Sequence, residues 1–406
     1  MPLLIQSLIR VPMFTLGTDP HTVVTSTPDQ GDLDVRYTPF RMERWQSNYE
    51  HRVRYNLSES AVHPLTVGEL FDIAGKERGT DHIELGYGQS NGSDKLRERI
   101  ASLYSGATED SVLVTIGGAE ANFTCFWHLS ESQGKAAVML PTYGQVPGLI
   151  ESFDNRILPV NLVEEEGWQP DLSELEAALH EGARFVIITH PNNPTGAALS
   201  RESMQAIAEL TEQHGAWIMS DEVYQGAETN GEISSSFWGC HDRVLITNSM
   251  SKAYGMPGLR LGWIVGPPDL VTELWGRTDY TSIAPPTLSD VLACMALEPA
   301  TRARILDRTG EITRANLGLL EKWMATQEGR FTYRPPDAGA FCFTRYSANI
   351  NSTEFAEKLR VEKDVLVVPG DHFGMDHYLR LGFGVPEETL LEALNLLEEA
   401  FDEVTT

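Results

Sequence analysis

From about residue 110 onward, short apolar runs alternate with amphipathic stretches along the chain. The apolar runs are rich in Val and Ile and apolar throughout, which is typical of strands that are covered on both faces. Helical patterns lie between them, and this alternation predicts an α/β fold with a mainly parallel sheet flanked by helices. The predicted strands are Ser111–Ile116, Ala136–Leu140, Ile157–Val163, Phe185–Thr189, Ala216–Ser220, Val244–Thr247 and Leu261–Val265.

Two of the predicted helices carry signals for their ends. Leu172–Leu179 follows Asp171, and Glu174 stands three residues after that aspartate, which resembles a capping box. Ser200–His214 is followed by Gly215, a residue suited to the turn that ends many helices. Both helices are therefore expected to begin and end near these residues.

The pattern changes after about residue 290, where we predict a smaller α+β domain. Residues 66–290 are assigned to a large domain and residues 291–406 to the small one. Residues 1–65 are irregular and punctuated by Pro up to Arg41–Arg54, so we expect an N-terminal arm that joins the small domain. The elements expected after residue 290 are helices at Arg302–Gln327, Ser352–Arg360 and Pro386–Val404, and strands at Phe341–Thr344, Val365–Val368 and Tyr378–Gly382.

The composition is that of an ordinary globular protein, with 41% hydrophobic and 22% charged residues, but the charge is strongly negative. The 58 acidic residues outnumber the 31 Lys and Arg, which gives a net charge of −27. Such a surface repels nucleic acids and anionic lipid headgroups, so neither is an expected partner. The excess of acid serves solubility or a salty habitat, or else it attracts a cationic substrate.

Membrane and metal sites are not expected either. The chain has no apolar stretch of about 18 residues, and its start (MPLLIQSLIRVPMF) lacks the positive segment and cleavage site of a signal peptide. The four Cys and 11 His show no spacing typical of a disulfide framework or a zinc site. We therefore expect a cytoplasmic protein without a metal ion.

Polar segments follow three consecutive predicted strands at their carboxyl ends. His190–Gly196 (HPNNPTG) follows the first of these strands, Asp221–Tyr224 (DEVY) the second and Asn248–Gly255 (NSMSKAYG) the third. Since catalytic groups in open α/β sheets lie at the carboxyl ends of strands, all three segments should face one crevice.

This set of side chains fits pyridoxal 5′-phosphate (PLP). A lysine in a partly desolvated pocket loses its proton more easily and can attack an aldehyde, and Lys252 is the candidate. The hydroxyls of Ser249 and Ser251 suit a phosphate, and Asp221 suits a ring nitrogen that must stay protonated. A nicotinamide cofactor is disfavoured because no G-x-G-x-x-G motif opens a helix after a predicted strand.

Taken in order, the motifs resemble those of the fold-type I aminotransferases of class I/II. The resemblance covers about residues 40–400 and implies a PLP-dependent enzyme that acts on the α-amino group of an amino acid. Besides HPNNPTG and DEVY, the matching segments are GYGQSNGSDKLR (Gly86–Arg97), GGAEA (Gly117–Ala121), PTY (Pro141–Tyr143), SMSKAYGMPGLRLGW (Ser249–Trp263) and YLRLG (Tyr378–Gly382).

The resemblance also implies a role for each matching residue. Lys252 would bond to the aldehyde carbon of PLP and then move the α-proton of the substrate, while Asp221 would pair with the pyridinium nitrogen. Asn193 and Tyr224 would bind the ring oxygen. Arg380 would bind the α-carboxylate of the substrate as a bidentate pair.

The remaining matches would surround the cofactor. Tyr143 would stack on the ring, and Tyr87 would reach the phosphate in the partner subunit, which implies a homodimer with shared active sites. Each match also has a structural alternative, such as a turn, a core aromatic or an ion pair, and His190 is interpreted as structural. The phosphate would be bound by Gly118, Ala119, Ser249, Ser251 and Arg260.

A closer likeness within the family is to the capreomycidine synthases, which eliminate water from a hydroxylated arginine and cyclise it. The likeness makes Glu59 and Asp279 candidates for binding the guanidinium of an arginine-like substrate. However, DEVY is the sequence that ordinary aminotransferases carry. The similar segments are NLSESAVH (Asn56–His63), TVGEL (Thr66–Leu70), Ser251–Trp263, the dipeptide Asp279-Tyr280 and VLVVPG (Val365–Gly370).

Three functions therefore stay open. The first is an aminotransferase that uses an amino acid and a 2-oxo acid. The second is a capreomycidine synthase-like or other arginine-modifying PLP enzyme that acts by elimination and cyclisation, or by oxidation. The third is a PLP-binding regulatory module, which is disfavoured because only about 40 irregular residues precede the family segment and the chain is so acidic.

Overall fold

The computed structural model of the chain describes residues 38–131 and 134–405, so the expected N-terminal arm up to residue 37 lies outside the described residues. The helices are α1 Arg41–Tyr49, α2 Val67–Ala74, α3 Asp94–Ala101, α4 Gly117–Ser130, α5 Gln145–Ser152, α6 Leu172–His180, α7 Arg201–Gln213, α8 Pro268–Thr278, α9 Thr287–Ala296, α10 Pro299–Thr326, α11 Ser352–Lys363 and α12 Glu387–Thr405. The strands are β1 Tyr55–Asn56, β2 Val112–Thr115, β3 Lys135–Leu140, β4 Arg156–Val163, β5 Gln169–Pro170, β6 Ala183–Thr189, β7 Trp217–Asp221, β8 Val244–Ser249, β9 Gly262–Val265, β10 Phe331–Tyr333, β11 Phe341–Tyr346, β12 Val365–Leu366, β13 Val368–Pro369 and β14 Tyr378–Gly382.

The large sheet has eight strands in the order β2-β9-β8-β7-β6-β3-β4-β5. The neighbours β8, β7, β6, β3 and β4 are all parallel. All the strands predicted before residue 290 are present, with ends that differ from the prediction by at most two residues. The predicted α/β class with a mainly parallel sheet is therefore confirmed.

One predicted strand runs against its parallel neighbours. β9 is antiparallel to both β8 and β2. The segment between β8 and β9 contains no crossover α-helix, and a chain that returns without one re-enters the sheet in the reverse direction. The short β5, which the apolar pattern did not predict, adds an antiparallel edge beside β4.

The small sheet is antiparallel, with the order β10-β11-β14-β13. The apolar run Val365–Val368, predicted as one strand, is divided between two sheets. β12 pairs in parallel with β1, whereas β13 pairs with β14. Between them, the carbonyl of Val367 accepts a hydrogen bond from the indole Nε1 of Trp45 at 2.8 Å instead of a ladder partner.

The helix start at Asp171 and the helix end at Gly215 that the sequence signalled are present. The carboxylate of Asp171 accepts hydrogen bonds from the backbone N–H groups of Ser173 and Glu174, which caps α6. The expected capping box is not completed, because the Glu174 carboxylate accepts from the backbone N–H of Asn161 instead. Ser200 caps α7, and Gly215 follows its end with a φ of 62°.

The unbroken apolar strands are explained by two hydrophobic cores on opposite faces of the large sheet. In β2, Val112 and Val114 belong to one core and Leu113 to the other. A third core lies under the small sheet and includes Leu57 and Val62 from the N-terminal part. The domain boundaries near residues 65 and 290 stay a prediction.

Within the described residues, no helix is long and apolar enough to cross a membrane. In the same part of the chain, no group of three His, Cys, Asp or Glu side chains is placed to hold a metal ion. All four cysteines are free.

Asn316 joins the long helix α10 to the chain that leaves β14. Its buried side-chain amide donates from Nδ2 to the carbonyl oxygens of Phe383 at 2.6 Å and Val385 at 2.7 Å. Both carbonyls are turned towards a helix and not towards a strand, so the asparagine supplies the hydrogen bonds that a sheet neighbour would otherwise provide.

We expect Asn316→Ala to lower the free energy of unfolding by about 2–4 kcal/mol, because two carbonyls lose their donor and each unsatisfied group costs about 1–3 kcal/mol. The measurement is urea unfolding followed by fluorescence. Asn349→Ala, at an exposed asparagine, is the control and should change the value by less than about 0.5 kcal/mol. Equal effects of the two substitutions would contradict the role given to Asn316.

Candidate active site

One cavity lies at the carboxyl ends of β6, β7 and β8, where the sequence placed the crevice. It is closed by α1, by the segment around Ser60 and by Arg380 of β14. The structure brings most of the predicted site residues to this cavity. They are Glu59, Gly118, Ala119, Tyr143, Asn193, Asp221, Tyr224, Ser249, Ser251, Lys252, Arg260 and Arg380.

Two predicted site residues are not part of this cavity. The side chain of Tyr87 is 89% exposed, in the loop between α2 and α3. Asp279 is exposed directly after α8. His190 is also outside the cavity lining; it is buried, and its Nδ1 accepts a hydrogen bond from the backbone N–H of Leu199 at 3.2 Å.

Asp221 at the end of β7 is a buried carboxylate whose polar contacts are mostly neutral. Its Oδ2 accepts from Asn122 Nδ2 at 2.9 Å, and its Oδ1 accepts from the backbone N–H of Val223 at 3.3 Å. Burial raises the pKa of Asp221 to about 6, although these hydrogen bonds and the charge of Lys252 oppose the rise. A carboxylate in this environment would be stabilised by a cationic group in the cavity.

Asn122 was missed by the sequence reasoning. It is held by a hydrogen bond from the hydroxyl of Thr247 to its Oδ1 at 2.7 Å, which leaves its Nδ2 to donate to Asp221. The residue lies on α4, one turn after Gly118, and is buried. A polar residue among the apolar neighbours of that helix was the available signal.

Arg380 is 1% exposed and connects three segments of the chain. Its Nη1 donates to Asn193 Oδ1 at 2.9 Å, and its Nη2 donates to the carbonyl of Ser58 at 2.5 Å. Its Nε has no hydrogen-bond partner within the described residues. Burial lowers the pKa of Arg380, so the guanidinium would gain from a carboxylate in the cavity.

Two tyrosines line the same cavity. The hydroxyl of Tyr224 donates to Ser60 Oγ at 2.9 Å, and its ring packs edge-on against Phe341. The ring of Tyr143 makes an edge contact with Phe40 at 4.9 Å between centroids, and burial raises its pKa. Both rings are therefore fixed by packing.

The N-terminus of α4 forms a tight turn against β9. Gly117 begins the helix with a φ of 73°, and an added Cβ there would lie 2.5 Å from Nη2 of Arg260. A Cβ on Gly262 would lie 2.4 Å from the carbonyl carbon of Gly117 and 2.6 Å from the nitrogen of Gly118. The first N–H groups of α4, the Arg260 guanidinium and the hydroxyl of Ser249 thus surround a place suited to an anion.

Lys252 lies in the loop after β8 and lines the cavity together with Asp221. Its backbone carbonyl accepts from the N–H of Gly255 at 3.2 Å, which closes the loop. Its ammonium makes no hydrogen bond or ion pair within the described residues, so the side chain is available to a group in the cavity.

The family model described as aminotransferase class I and II matches residues 69–397 of the 406-residue chain. The chain belongs to this family. Its cofactor is accordingly PLP, and the fold is that of the fold-type I enzymes. The residues around the cavity fit PLP, because a buried carboxylate, an unpaired lysine and an anion-binding turn are present together.

Several proteins of similar sequence are named for their activities. Capreomycidine synthase from Streptomyces vinaceus is 31% identical over 361 residues, 88% of this chain and 92% of that enzyme. An arginine–pyruvate transaminase from Pseudomonas aeruginosa is 31% identical over 317 residues, 76% of this chain and 80% of that enzyme. Other relatives are named aspartate aminotransferases.

The solved structures agree with the family. A PLP-dependent aminotransferase from Streptococcus suis matches with a TM-score of 0.84 and 28% identity, covering 91% of this chain and 99% of that one. The relatives include both transaminases and a synthase, so they establish a PLP-dependent enzyme but leave its reaction to be proposed.

We expect Gly262→Ala to weaken PLP binding about tenfold or more, because the added methyl would displace the first turn of α4. The dissociation constant is measured by titrating the apoenzyme with PLP. Gly258→Ala is the control, since an added Cβ there meets nothing within 4 Å. Equal PLP affinities in the two variants would show that the contact between Gly262 and α4 does not shape the cofactor site.

Proposed function

We propose that this PLP-dependent enzyme is an aminotransferase that moves the α-amino group of an amino acid to a 2-oxo acid. The proposal rests on the placement of Lys252, Asp221 and Arg380 around one cavity. These three side chains supply an amine, an anion and a cation. A reaction that binds an amino acid and moves its α-proton needs one group of each kind.

PLP, when bound, supplies an aldehyde that carries the amino group and a ring that withdraws electrons from the α-carbon. Lys252 would hold the aldehyde carbon through Nζ and, once the substrate amine has replaced it, take and return the α-proton. Asp221 would pair with the protonated ring nitrogen. With a pKa of about 6 its carboxylate is mostly ionised at pH 7, and a neighbouring cation favours the ionised form further.

The orientation of Asn193 supports its proposed contact with the ring oxygen. Because its Oδ1 accepts from Arg380, its Nδ2 is left as a donor. The Tyr224 hydroxyl, fixed by Ser60, lines the same cavity and would be the second contact. Arg380 would bind the α-carboxylate, and its unpartnered Nε is an additional donor for it.

A second reaction, elimination followed by cyclisation, is favoured by one observation. Capreomycidine synthase is similar over nearly its whole length, and the chain carries its NLSESAVH-like segment at residues 56–63. Both reactions begin with removal of the α-proton. They differ in where the proton is returned and in whether the β-carbon carries a leaving group.

The test is to incubate the holoenzyme with a panel of amino acids and pyruvate, and to identify the products by mass. We expect a 2-oxo acid from the substrate together with alanine, and neither product from Lys252→Ala. A product that has lost water while pyruvate stays unchanged would show elimination instead. Failure of every amino acid to react would contradict the proposed function.

We also propose a homodimer with shared active sites. Leu85 and Tyr87 are 86% and 89% exposed in one loop, and Tyr280, next to Asp279, is 81% exposed. Exposed apolar side chains that lie together, as Leu85 and Tyr87 do in one loop, support a surface covered by a partner. In this arrangement Tyr87 would reach the PLP phosphate of the partner subunit. Because Asp279 does not line the cavity of its own chain, any contact with a substrate would have to be in the partner's cavity. The cytoplasmic location stays a prediction.

Mixing two inactive variants, Tyr87→Ala and Lys252→Ala, should restore activity. A two-fold mixed dimer contains one intact site, so random reassembly of equal amounts gives about a quarter of the wild-type sites. Activity is measured after joint denaturation and refolding. The pair Asp221→Ala and Lys252→Ala is the control, because both residues come from one chain and every site then lacks one of them. No recovery in the first mixture would refute the shared site.

A further inference from the structure

One wall of the cavity is formed by a single face of α1 together with Glu50, the residue that directly follows the helix. Met42, Glu43, Gln46 and Glu50 all line the cavity, and their spacing places them on one side of the helix. This face is anchored by Gln46, whose Nε2 donates to the carbonyl of Ser58 at 2.8 Å and contacts its hydroxyl at 3.2 Å. A buried hydrogen bond therefore holds this face of the helix, which carries Glu43, against the cavity.

The adjoining wall carries Glu59, which is held firmly against β14. The backbone N–H of Gly382 donates to the carbonyl of Leu57 at 2.7 Å, and a Cβ on Gly382 would lie only 2.0 Å from the carbonyl oxygen of Glu59. Ser58, the neighbour of Glu59, accepts a hydrogen bond from Arg380. Glu59 is thus fixed beside the strand that carries the proposed carboxylate-binding arginine.

Within the described residues, none of these three glutamates forms an ion pair with a cation that lines the cavity. The side chains of Glu43 and Glu59 make no hydrogen bond or ion pair within the described residues. Glu50 meets only the exposed His51, at 3.4 Å. Burial raises the pKa of Glu50, and the charges of Glu59 and Glu43 raise it further, whereas the charges of His51 and Lys252 oppose the rise. All three carboxylates line one cavity, so their negative charges add up there.

The cations that line the cavity are needed elsewhere. They are Lys252, Arg260 and Arg380, to which the proposed function assigns the PLP aldehyde, the phosphate and the substrate α-carboxylate. The buried Nε of Arg380, unpartnered within the described residues, independently indicates that a ligand completes this cavity. A ligand with a carboxylate at one end and a cation at the other would satisfy both sides.

We propose that the substrate is an amino acid whose side chain ends in a cation, a guanidinium or an ammonium, and that Glu59 and Glu50 bind this cation with Glu43 at the outer end. The inference rests on the proposed function, since Arg380 must hold the α-carboxylate. A cation between Glu59 and Glu50 removes their mutual repulsion, and a guanidinium can donate to both carboxylates at once. Asp279, the other candidate from the sequence, is not needed in this chain's cavity.

A different role for Glu59 would be to balance the charge of Arg380. The negative charges of Glu59 and Glu43 do raise the pKa of Arg380. In that case a loss of Glu59 would change the affinity for every carboxylate ligand by the same factor, whatever its side chain. The comparison of cationic and neutral ligands of the same shape separates the two roles.

The first experiment measures binding by calorimetry to the PLP-loaded enzyme, with ligands that lack an α-amino group and so cannot react. We expect 5-guanidinopentanoate to bind about tenfold or more tightly than its neutral isostere 5-ureidopentanoate. Glu59→Gln and Glu50→Gln should bring this ratio towards one and leave the affinity for the neutral ligand unchanged. Glu43→Gln should lower the ratio less, because Glu43 is exposed.

The control variant is Glu176→Gln, which removes one charge from the exposed side of α6 and should keep the ratio. Turnover then distinguishes the two cations: kcat/KM for arginine is compared with citrulline, and for lysine with norleucine. If only arginine is preferred over its neutral counterpart, the bound cation is a guanidinium. If only lysine is preferred over norleucine, it is an ammonium.

A wild-type ratio near one, no binding of either ligand, or an equal change in affinity for both ligands in Glu59→Gln would overturn the inference. These outcomes are separate from the fate of the proposed function, because the binding ligands undergo no reaction. Amino transfer without charge preference leaves the aminotransferase and removes the cationic substrate. Charge-selective binding without amino transfer would support the cationic substrate and contradict the aminotransferase.

Discussion

The buried guanidinium of Arg380 is the interaction on which the arrangement of the cavity depends. From β14 of the small sheet it donates hydrogen bonds to Asn193, which follows β6 of the large sheet, and to the carbonyl of Ser58. Ser58 directly precedes Glu59, which lines the cavity. Burying an arginine with incomplete hydrogen bonding is costly, so the site is stable only while these acceptors stay in place. The same incompleteness leaves the guanidinium able to gain from a carboxylate. The side chain that links the two sheets is therefore also the one proposed to bind the substrate α-carboxylate.

On the other side of the cavity, hydrogen bonds from neighbouring elements likewise hold a buried charged side chain in place. Asp221 is kept by Asn122, which is itself held by Thr247 from the neighbouring strand β8. The carboxylate thus receives hydrogen bonds that fix its direction but little positive charge, and burial raises its pKa. In the role proposed for it, a carboxylate of this kind would favour a protonated ring nitrogen more strongly than an exposed aspartate would. The parallel strands provide this geometry because their carboxyl ends bring loops from distant parts of the chain together.

Much of the fold could be predicted because the large sheet is covered on both faces, so that each strand is a short apolar run. The apolar pattern gave a wrong strand where hydrogen bonding, and not burial, determines the structure. The carbonyl of Val367 accepts from Trp45, and the apolar run around Val367 is divided between two sheets. The motif residues were brought together because motifs mark strand ends. Glu43 and Glu50 belong to no motif and became visible only when α1 was placed against the cavity. Asp279 was chosen by likeness alone, and it lies outside the cavity of its own chain.

The position of the three glutamates also bears on the net charge of −27. Charges spread over an exposed surface are screened within about 8–10 Å at physiological salt, so they raise solubility but cannot select a substrate. Carboxylates that line a partly enclosed cavity act over shorter distances and through a medium that screens them less. Of the two explanations of the acidic composition, attraction of a cationic substrate would therefore concern only the few carboxylates that line the cavity. The charge of Glu59 contributes to the raised pKa of Glu50, so a cation placed between the two carboxylates, as proposed, would relieve this unfavourable interaction.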